Sequence, residues 1–313
     1  MKKRLLKMLI CPACLPEEQP LNQNILEERD DDIIEGSLSC AHCGKEYPIK
    51  NGIAFLDPNS PHKAQNTPSK YEEAPALASY LWSHYGDLLK DENASVAYQD
   101  WNDLMRPLSG VAIDAGSAVG RFTFELSQKS DFAIGIDNSL SFIRAARELM
   151  LNWELEVRLQ QEGHVTRKET IILPKTWKKG NMEFLVGDAQ RLPFKSGSFS
   201  SLASLNLVDK VPKPLKHLQE MNRVAKPREA QFLFSDPFSW SEEVTEPENW
   251  LGGTHDGPYS GKGMENVMGI LNGRENGLRP QWHIQKQGYV WWKIRTHQNH
   301  FELIRSCFVK ANR

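Results

Sequence analysis

The 313 residues leave room for one sizeable α/β domain plus a small appendage, since single domains usually run to about 100–200 residues. Charged residues make up 25% and hydrophobic ones 40%, the balance of an ordinary folded chain, which excludes a disordered or fibrous one. The formal net charge of −2 provides no broad cationic field for nucleic acid, and no stretch approaches the ~18–20 apolar residues of a membrane span.

At the N-terminus MKKRLLKMLI begins like a basic signal head, but Lys7 breaks the apolar run before the roughly 7 residues such a segment needs. The expected setting is therefore cytoplasmic, with no membrane partner. Four of the five cysteines then form two C-x-x-C pairs, Cys11/Cys14 and Cys40/Cys43, on either side of a segment holding the turn-prone EERDDD run. Two such pairs have the spacing of a four-cysteine zinc site, in which short spacers let all four thiolates turn toward one ion. Disulfides are the alternative, disfavoured in a reducing compartment. With no position left for water the zinc is expected to be structural, and His42 a spectator. Zinc would supply the folding energy that about 55 residues cannot draw from their own core. GKEYPIKNGIAFLDP reads as a short strand pair closing this zinc ribbon, which spans 1–57. The pattern over about residues 5–57 resembles the small zinc-ribbon proteins that partner tRNA and protein methyltransferases, which implies that the ribbon can serve as a protein contact.

Residues 58–70 are rich in proline and poor in apolar side chains and read as a linker, so the larger domain is placed at 71–313 and expected to fold separately. Leu77, Leu81, Tyr85 and Leu88 recur at helical spacing and predict one or two helices before about Met105. GVAIDAGSAVGRFTFELSQ follows: an apolar strand ending at Asp114, then Gly116, Ala118 and Gly120, then an amphipathic helix. Glycines at a strand-to-helix turn let a ligand approach the backbone, although such a turn alone can also be a packing turn. FAIGIDNS gives a second strand ending in Asp137, MEFLVGDAQRLPF a third ending in Asp188, SLASLNLVDKVPKP a fourth ending near Asn206, and EAQFLFSDPFSW a fifth. Strands and helices alternating in this order predict a doubly wound, Rossmann-like parallel sheet with its ligand at the carboxyl ends of the strands.

The whole run resembles the class I S-adenosylmethionine (SAM) dependent methyltransferases. The resemblance implies that Asp114, Gly116, Ser117 and Gly120 line the methionine end of SAM, and that Asp137 with Asn138 holds the ribose. It further implies that Asp188 and Ala189 flank the adenine and that Asn206 sits under the sulfonium. GSAVGRFTFEL, EVRLQQEGHVTRKETIILP and DPFSWSEEVTEPENWLGG together resemble, over about residues 108–313, the methyltransferase domain of ovothiol biosynthesis. That group methylates an imidazole nitrogen of a thiolated histidine. This chain lacks the fused iron-dependent region of that group and carries the ribbon instead.

After the fifth strand, the connection around 238–262 exceeds the ~12–15 residues of ordinary loops and is rich in Trp, Gly, Glu and Pro. It reads as a lid, with Trp240, Glu242, Glu243, Trp250, His255 and Tyr259 as candidates to enclose an acceptor. WHIQKQGYVWWKIRTHQNHFELIRSCFVKANR predicts a closing antiparallel strand pair with Arg295, His297 and His300 near its turn and Cys307 as a buried small hydrophobe. An Arg and two His at one turn suit carboxylate recognition or proton acceptance near pH 7. The candidate bases are His255, His297 and His300. The acceptor expected is a small polar molecule, an imidazole, amine or thiol. The alternatives are RNA, because some ribosomal RNA methyltransferases also join a four-cysteine ribbon to this fold, and a non-catalytic SAM-binding or scaffold protein.

Overall fold

The computed structural model describes residues 1–59, 70–274 and 277–313, so most of the linker expected at 58–70 lies outside the described residues. The ribbon is an antiparallel sheet of β1 (Asn22–Arg29), β2 (Asp32–Ser39), β3 (Glu46–Lys50) and β4 (Ile53–Ala54) in that order. EERDDD supplies the β1–β2 turn, with Asp30 at φ +53°. In β3 the buried Tyr47 and Ile49 alternate with exposed Glu46, Pro48 and Lys50, the period of a half-buried strand.

Two helices, α1 (Ala74–Tyr85) and α2 (Ala97–Asp103), precede the large sheet. Its elements follow as β5 (Val111–Ala115), α3 (Arg121–Lys129), β6 (Phe132–Asp137), α4 (Leu140–Asn152), β9 (Met182–Val186), β10 (Phe199–Leu205), α5 (Pro214–Val224) and β11 (Gln231–Asp236). Between α4 and β9 the segment beginning EVRLQQ forms an antiparallel hairpin of its own, β7 (Glu154–Glu162) with β8 (Val165–Ile172). The chain closes with α6 (Gly263–Leu271) and the long hairpin β12 (His283–His297) and β13 (His300–Asn312).

The sheet order is β12-β13-β11-β10-β5-β6-β9. Strands β9, β6, β5, β10 and β11 run parallel, while β13 is antiparallel to both neighbours. β9 and β11 are buried along their whole length and β6 and β10 along nearly all of it, which is why they read as continuous apolar runs and not as alternating ones. Ser139 caps α4 by accepting from the Phe142 amide at 3.2 Å, and Pro214 opens α5 where no amide donor is needed. The chain winds outward from β5 in both directions, to β6 on one side and β10 on the other. That reversal leaves a crevice outside the carboxyl ends of β5 and β10.

Two corrections concern the ends of this domain. Cys307 is half-buried and not a core residue. The closing hairpin is also longer than the sheet it completes. Asp236, the last residue of β11, pairs with Cys307, which pairs with Tyr289, yet β12 continues to His297. At about 3.3 Å per residue the tip overshoots the carboxyl edge by roughly 25 Å. It packs on α1, where the Ser83 hydroxyl donates to the Lys293 carbonyl at 2.5 Å and Trp82 meets Phe301 at 5.5 Å.

The ribbon does not hang free. Leu56 donates its amide to the Val186 carbonyl at 2.7 Å, Ile10 donates to Pro193 at 3.0 Å, and Lys195 donates to Met8 at 3.0 Å, so the ribbon caps the β9 edge. Arg147 of α4 reaches both Asp32 of the ribbon and Glu183 of β9. Leu5, Leu9 and Tyr47 share one buried cluster with Ile113, Phe132 and Phe194. The separate folding expected from the linker is not what this packing supports, because removing the ribbon would uncover an apolar edge strand. Among the described residues no helix is long and apolar enough to cross a membrane.

Candidate active site

The β5-to-α3 turn is built around positive φ angles: +75° at Gly116, +45° at Ala118 and +87° at Gly120. At Gly120 a side chain is excluded twice, because a Cβ there would lie 2.7 Å from the Phe184 ring and 2.9 Å from Ala146. The turn is tied to the end of β6. The Gly116 and Ser117 amides donate to the Ile136 carbonyl at 2.9 and 3.1 Å, and the Ala118 amide donates to Asp137 Oδ2 at 2.9 Å. Asp137 Oδ1 accepts from the Ser139 amide at 2.9 Å. Burial pushes the Asp137 carboxyl up to about 6, with the Ser139 and Ala118 amides opposing.

The predicted cofactor residues meet at the carboxyl edge, with differences in depth. Gly116 and Ser117 fall in the turn after β5, Asp137 closes β6 with Asn138 just past it, and Asn206 follows β10 with φ +54°. Asp188 and Ala189 lie just past β9, where the Gln190 amide donates to Asp188 Oδ1 at 2.8 Å. Asp114 is deeper. It is fully buried within β5, accepts from the Thr123 hydroxyl at 2.8 Å, and is pushed up to about 7 by burial. Ser117 Oγ and Asn206 Oδ1 are buried without a hydrogen-bond partner among the described residues. Buried polar atoms are ordinarily paired, so these two orphans at the switch point suit a polar ligand such as the head of SAM.

The histidines divide differently from expectation. His255 is exposed in the lid segment, and His300 is exposed while His297 is half-buried, the two rings stacked at 5.6 Å on the hairpin tip. Among the described residues, the histidines enclosed by the fold are His84 and His217. His217 donates from Nδ1 to the Ala189 carbonyl at 3.0 Å and accepts at Nε2 from Ser204 at 2.8 Å, so it is a satisfied strut between β10, α5 and the adenine-side loop. His84 contacts the Tyr98 hydroxyl at 2.6 Å through Nε2, its Nδ1 lacks a partner among the described residues, and burial lowers its pKa so that it stays neutral.

Sequence reasoning missed a buried acidic pair, Asp209 after β10 and Asp236 at the end of β11, both with no exposed surface. Asp209 Oδ2 accepts from the Ser239 amide at 2.9 Å and Lys210 at 3.0 Å, whereas its Oδ1 has no partner among the described residues. Asp236 Oδ1 accepts from the Phe238 amide at 2.7 Å. Burial pushes both carboxyls up, and each lies close enough to the other to add like-charge repulsion at Asp236. The signal available was position: both acids follow apolar strands at the edge where ligands bind.

Aromatic side chains wall the same edge. Tyr80 of α1 packs on Phe142 at 4.7 Å and on Trp292 at 6.3 Å, and its hydroxyl, raised by burial, also feels Tyr71, Asp137 and Asp209. In the lid Trp240 stacks on Trp250 at 5.9 Å with planes 11° apart, and Trp250 Nε1 donates to the Thr245 carbonyl at 2.9 Å. The Thr245 hydroxyl donates to the Pro212 carbonyl at 2.6 Å, which fastens the lid to the segment after β10.

At the ribbon the Sγ atoms of Cys11, Cys14, Cys40 and Cys43 all lie within 4.8 Å of one another, with Cys11–Cys43 at 3.6 Å and Cys14–Cys40 at 3.7 Å. Four thiolates at about 2.3 Å from one tetrahedral zinc would stand about 3.8 Å apart, so the donor set fits structural zinc. The Tyr47 hydroxyl, 3.2 Å from Cys11 Sγ, can donate to that thiolate as a supporting contact. His42 points to no part of this cluster and is exposed.

Comparison with known proteins agrees with both halves. Residues 2–52 match the family model of Trm112p-like proteins, and residues 113–230 match that of the methyltransferase domain. Fold and matches together define the class: a Rossmann-like, SAM-dependent methyltransferase domain preceded by a Trm112p-like domain with a four-cysteine cluster. An uncharacterized chloroplastic methyltransferase of Arabidopsis thaliana is 23% identical over 255 residues, 75% of this chain and 64% of its own length. The multifunctional methyltransferase subunit trm112 of Neurospora crassa is 40% identical over 50 residues, 14% of this chain and 39% of its own. The chain thus spans less than two thirds of either curated relative. A solved complex between the Haloferax volcanii Trm112 methyltransferase activator and a methyltransferase has a TM-score of 0.45 at 14% identity, covering 78% of this chain and 99% of that one. A SAM-dependent methyltransferase from Methanosarcina mazei has a TM-score of 0.42 at 17% identity, covering 67% of this chain and 94% of that one.

Proposed function

We propose that this chain transfers a methyl group from SAM to a small polar acceptor, an imidazole, amine or thiol, enclosed between the lid at 238–262 and the wall that Tyr80 of α1 and Trp292 of β12 form together. The observation that carries the reading is the crevice at the β5/β10 switch point, where Ser117 Oγ and Asn206 Oδ1 are buried without a partner among the described residues, beside the turn held by Asp137. SAM supplies an electrophilic methyl group on a sulfonium. Asp137, with Asn138 beside it, would accept hydrogen bonds from the ribose hydroxyls. Gly116, Ser117 and Gly120, with Asp114 behind them, would shape the methionine end, Asp188 and Ala189 the adenine side, and Asn206 the sulfonium side.

In-line displacement asks the protein mainly to position two reactants and exclude water. Tyr80, Trp292 and the Trp240–Trp250 stack supply an apolar enclosure for that purpose. For an acceptor that must lose a proton, Asp209 is the base favoured here, because its Oδ1 is buried with no hydrogen-bond partner among the described residues and burial raises its carboxyl above the ordinary carboxylate value. His255, His297 and His300 are retained as secondary candidates from the acceptor side.

Thiolated histidine is the first acceptor to try, on the resemblance to the ovothiol methyltransferase domain. RNA or protein is the second reading, favoured by the Trm112p-like match over residues 2–52. The ribbon over 1–57 and the methyltransferase domain over 71–313 are proposed as two units joined by 58–70. Cys11, Cys14, Cys40 and Cys43 would hold zinc, and the cytoplasmic setting is proposed because that site needs reduced cysteines. The test is transfer of a labelled methyl group from SAM to an extract divided into small-molecule, protein and RNA fractions. Label in the small-molecule fraction supports the proposal. Label confined to RNA or protein replaces the acceptor, and no label in any fraction removes the enzymatic reading.

A further inference from the structure

Among the turn that follows α1, the β7–β8 hairpin and the closing hairpin lies a cavity of about 330 Å³. It is bounded by the turn at 89–93, Gln161 of β7, Arg167 of β8, and Arg295, Gln298 and Phe301 of the closing hairpin. Arg295 is among its lining residues and is only 5% exposed. Arg295 Nη2 donates to the Gln160 carbonyl at 3.2 Å, and Nη1 has no partner among the described residues. The group lies 5.8 Å from the Trp82 ring.

A buried guanidinium is costly unless an anion faces it. Asp91 and Glu169 act on Arg295 through space, yet neither forms an ion pair with it among the described residues, and each is bonded to another partner. Asp91 accepts from Trp82 Nε1 at 2.8 Å and from the Asn93 amide at 3.0 Å, and Glu169 pairs with Arg167 at 2.7 Å. Glu92, on the rim, is exposed. No ion pair to Arg295 occurs among the described residues. The volume is that of a small-molecule site and exceeds what a chloride ion needs. The fork of Arg295 suits a planar or tetrahedral oxyanion, while Arg167 and Lys90 add positive charge at the mouth.

We propose that this cavity binds a small organic oxyanion, with its carboxylate or phosphate group on Arg295. The site does not depend on the methyl-transfer reading. Occupied, it would tie together three segments that meet there, the turn at 89–93, the β7–β8 hairpin and the β12–β13 hairpin.

Calorimetry and thermal unfolding of the full chain with inorganic phosphate, and separately with succinate, at ionic strength held constant with sodium chloride, test this. At least one oxyanion should bind the wild type and raise its Tm with concentration, and the one that does identifies the chemistry. Arg295→Gln should weaken that binding about tenfold or more, the loss of a charge-assisted pair. Arg167→Gln, at a side chain 54% exposed and therefore safe for folding, should weaken it a few-fold. Absence of binding by both anions, or unchanged affinity in Arg295→Gln, overturns the site. Should Arg295→Gln fail to fold, unchanged affinity in Arg167→Gln overturns it instead.

Discussion

The two sides of the carboxyl edge are built by different means. On the cofactor side, between β5, β6 and β9, backbone amides do the positioning: Asp137 is gripped by the Ala118 and Ser139 amides, and the glycine turn by the Ile136 carbonyl. On the side proposed for the acceptor, side chains from α1, the segment after β10, the lid and the closing hairpin come from distant parts of the chain. A ligand shared by a whole enzyme class can be met by fixed backbone geometry. A ligand particular to one enzyme is met by side chains that vary freely, which is why the first side announces itself and the second does not.

The largest effect expected lies outside both sides. Because the ribbon shares a core with the sheet, stripping the metal should unfold the ribbon and lower the Tm of the whole chain, where separate folding would leave the methyltransferase transition in place. Metal analysis should find one zinc per chain, and Cys40→Ser should behave like the stripped protein. A metal-free protein with an unaltered transition under reducing conditions would break the coupling.

Within the edge, Asp209→Asn should cut turnover by roughly 10²–10⁴ where the acceptor must be deprotonated, with little loss of folding, since the amide keeps the shape of the side chain and an oxygen to accept from the Ser239 amide. Steady-state kinetics with a proton-bearing acceptor measure it, and a kcat within a few-fold of wild type would return attention to His255, His297 and His300. Asp137→Ala should cost about 1.5–3 kcal/mol of SAM binding, or roughly ten- to a hundredfold in affinity.

The smallest effect is on pH. Asp137 titrates near 6 in the folded chain, above its ordinary carboxylate value of 3.8. The raised value means that its share of stability is present below about 4 and lost as pH rises through about 6, while the carboxylate needed for ribose forms over the same window. SAM affinity should therefore fall about tenfold from pH 7 to pH 5, and a flat profile would mean that the ionised form is not what binds.

Much of this was legible because the residues concerned act locally. The glycine turn, the strand-end acids and the two C-x-x-C knuckles each follow from short spacing, and the parallel strands follow from uninterrupted apolar runs. What escaped depends on contacts across the chain. Asp209 and Asp236 follow apolar strands in the sequence, but their pairing shows only when β10 and β11 are laid side by side. Arg295 reads as a hairpin tip residue until the overshoot of β12 presses it against Trp82. The ribbon reads as separate because proline in the linker says nothing about Leu56 pairing with Val186.

The division of the edge into a cofactor side and an acceptor side is tested most directly by calorimetric titration of SAM into the wild type, Asp137→Ala and Asp209→Asn in parallel. One SAM should bind per chain, with affinity reduced ten- to a hundredfold in Asp137→Ala and unchanged in Asp209→Asn. Equal affinity in the wild type and Asp137→Ala, or absence of binding by the wild type, would contradict the account.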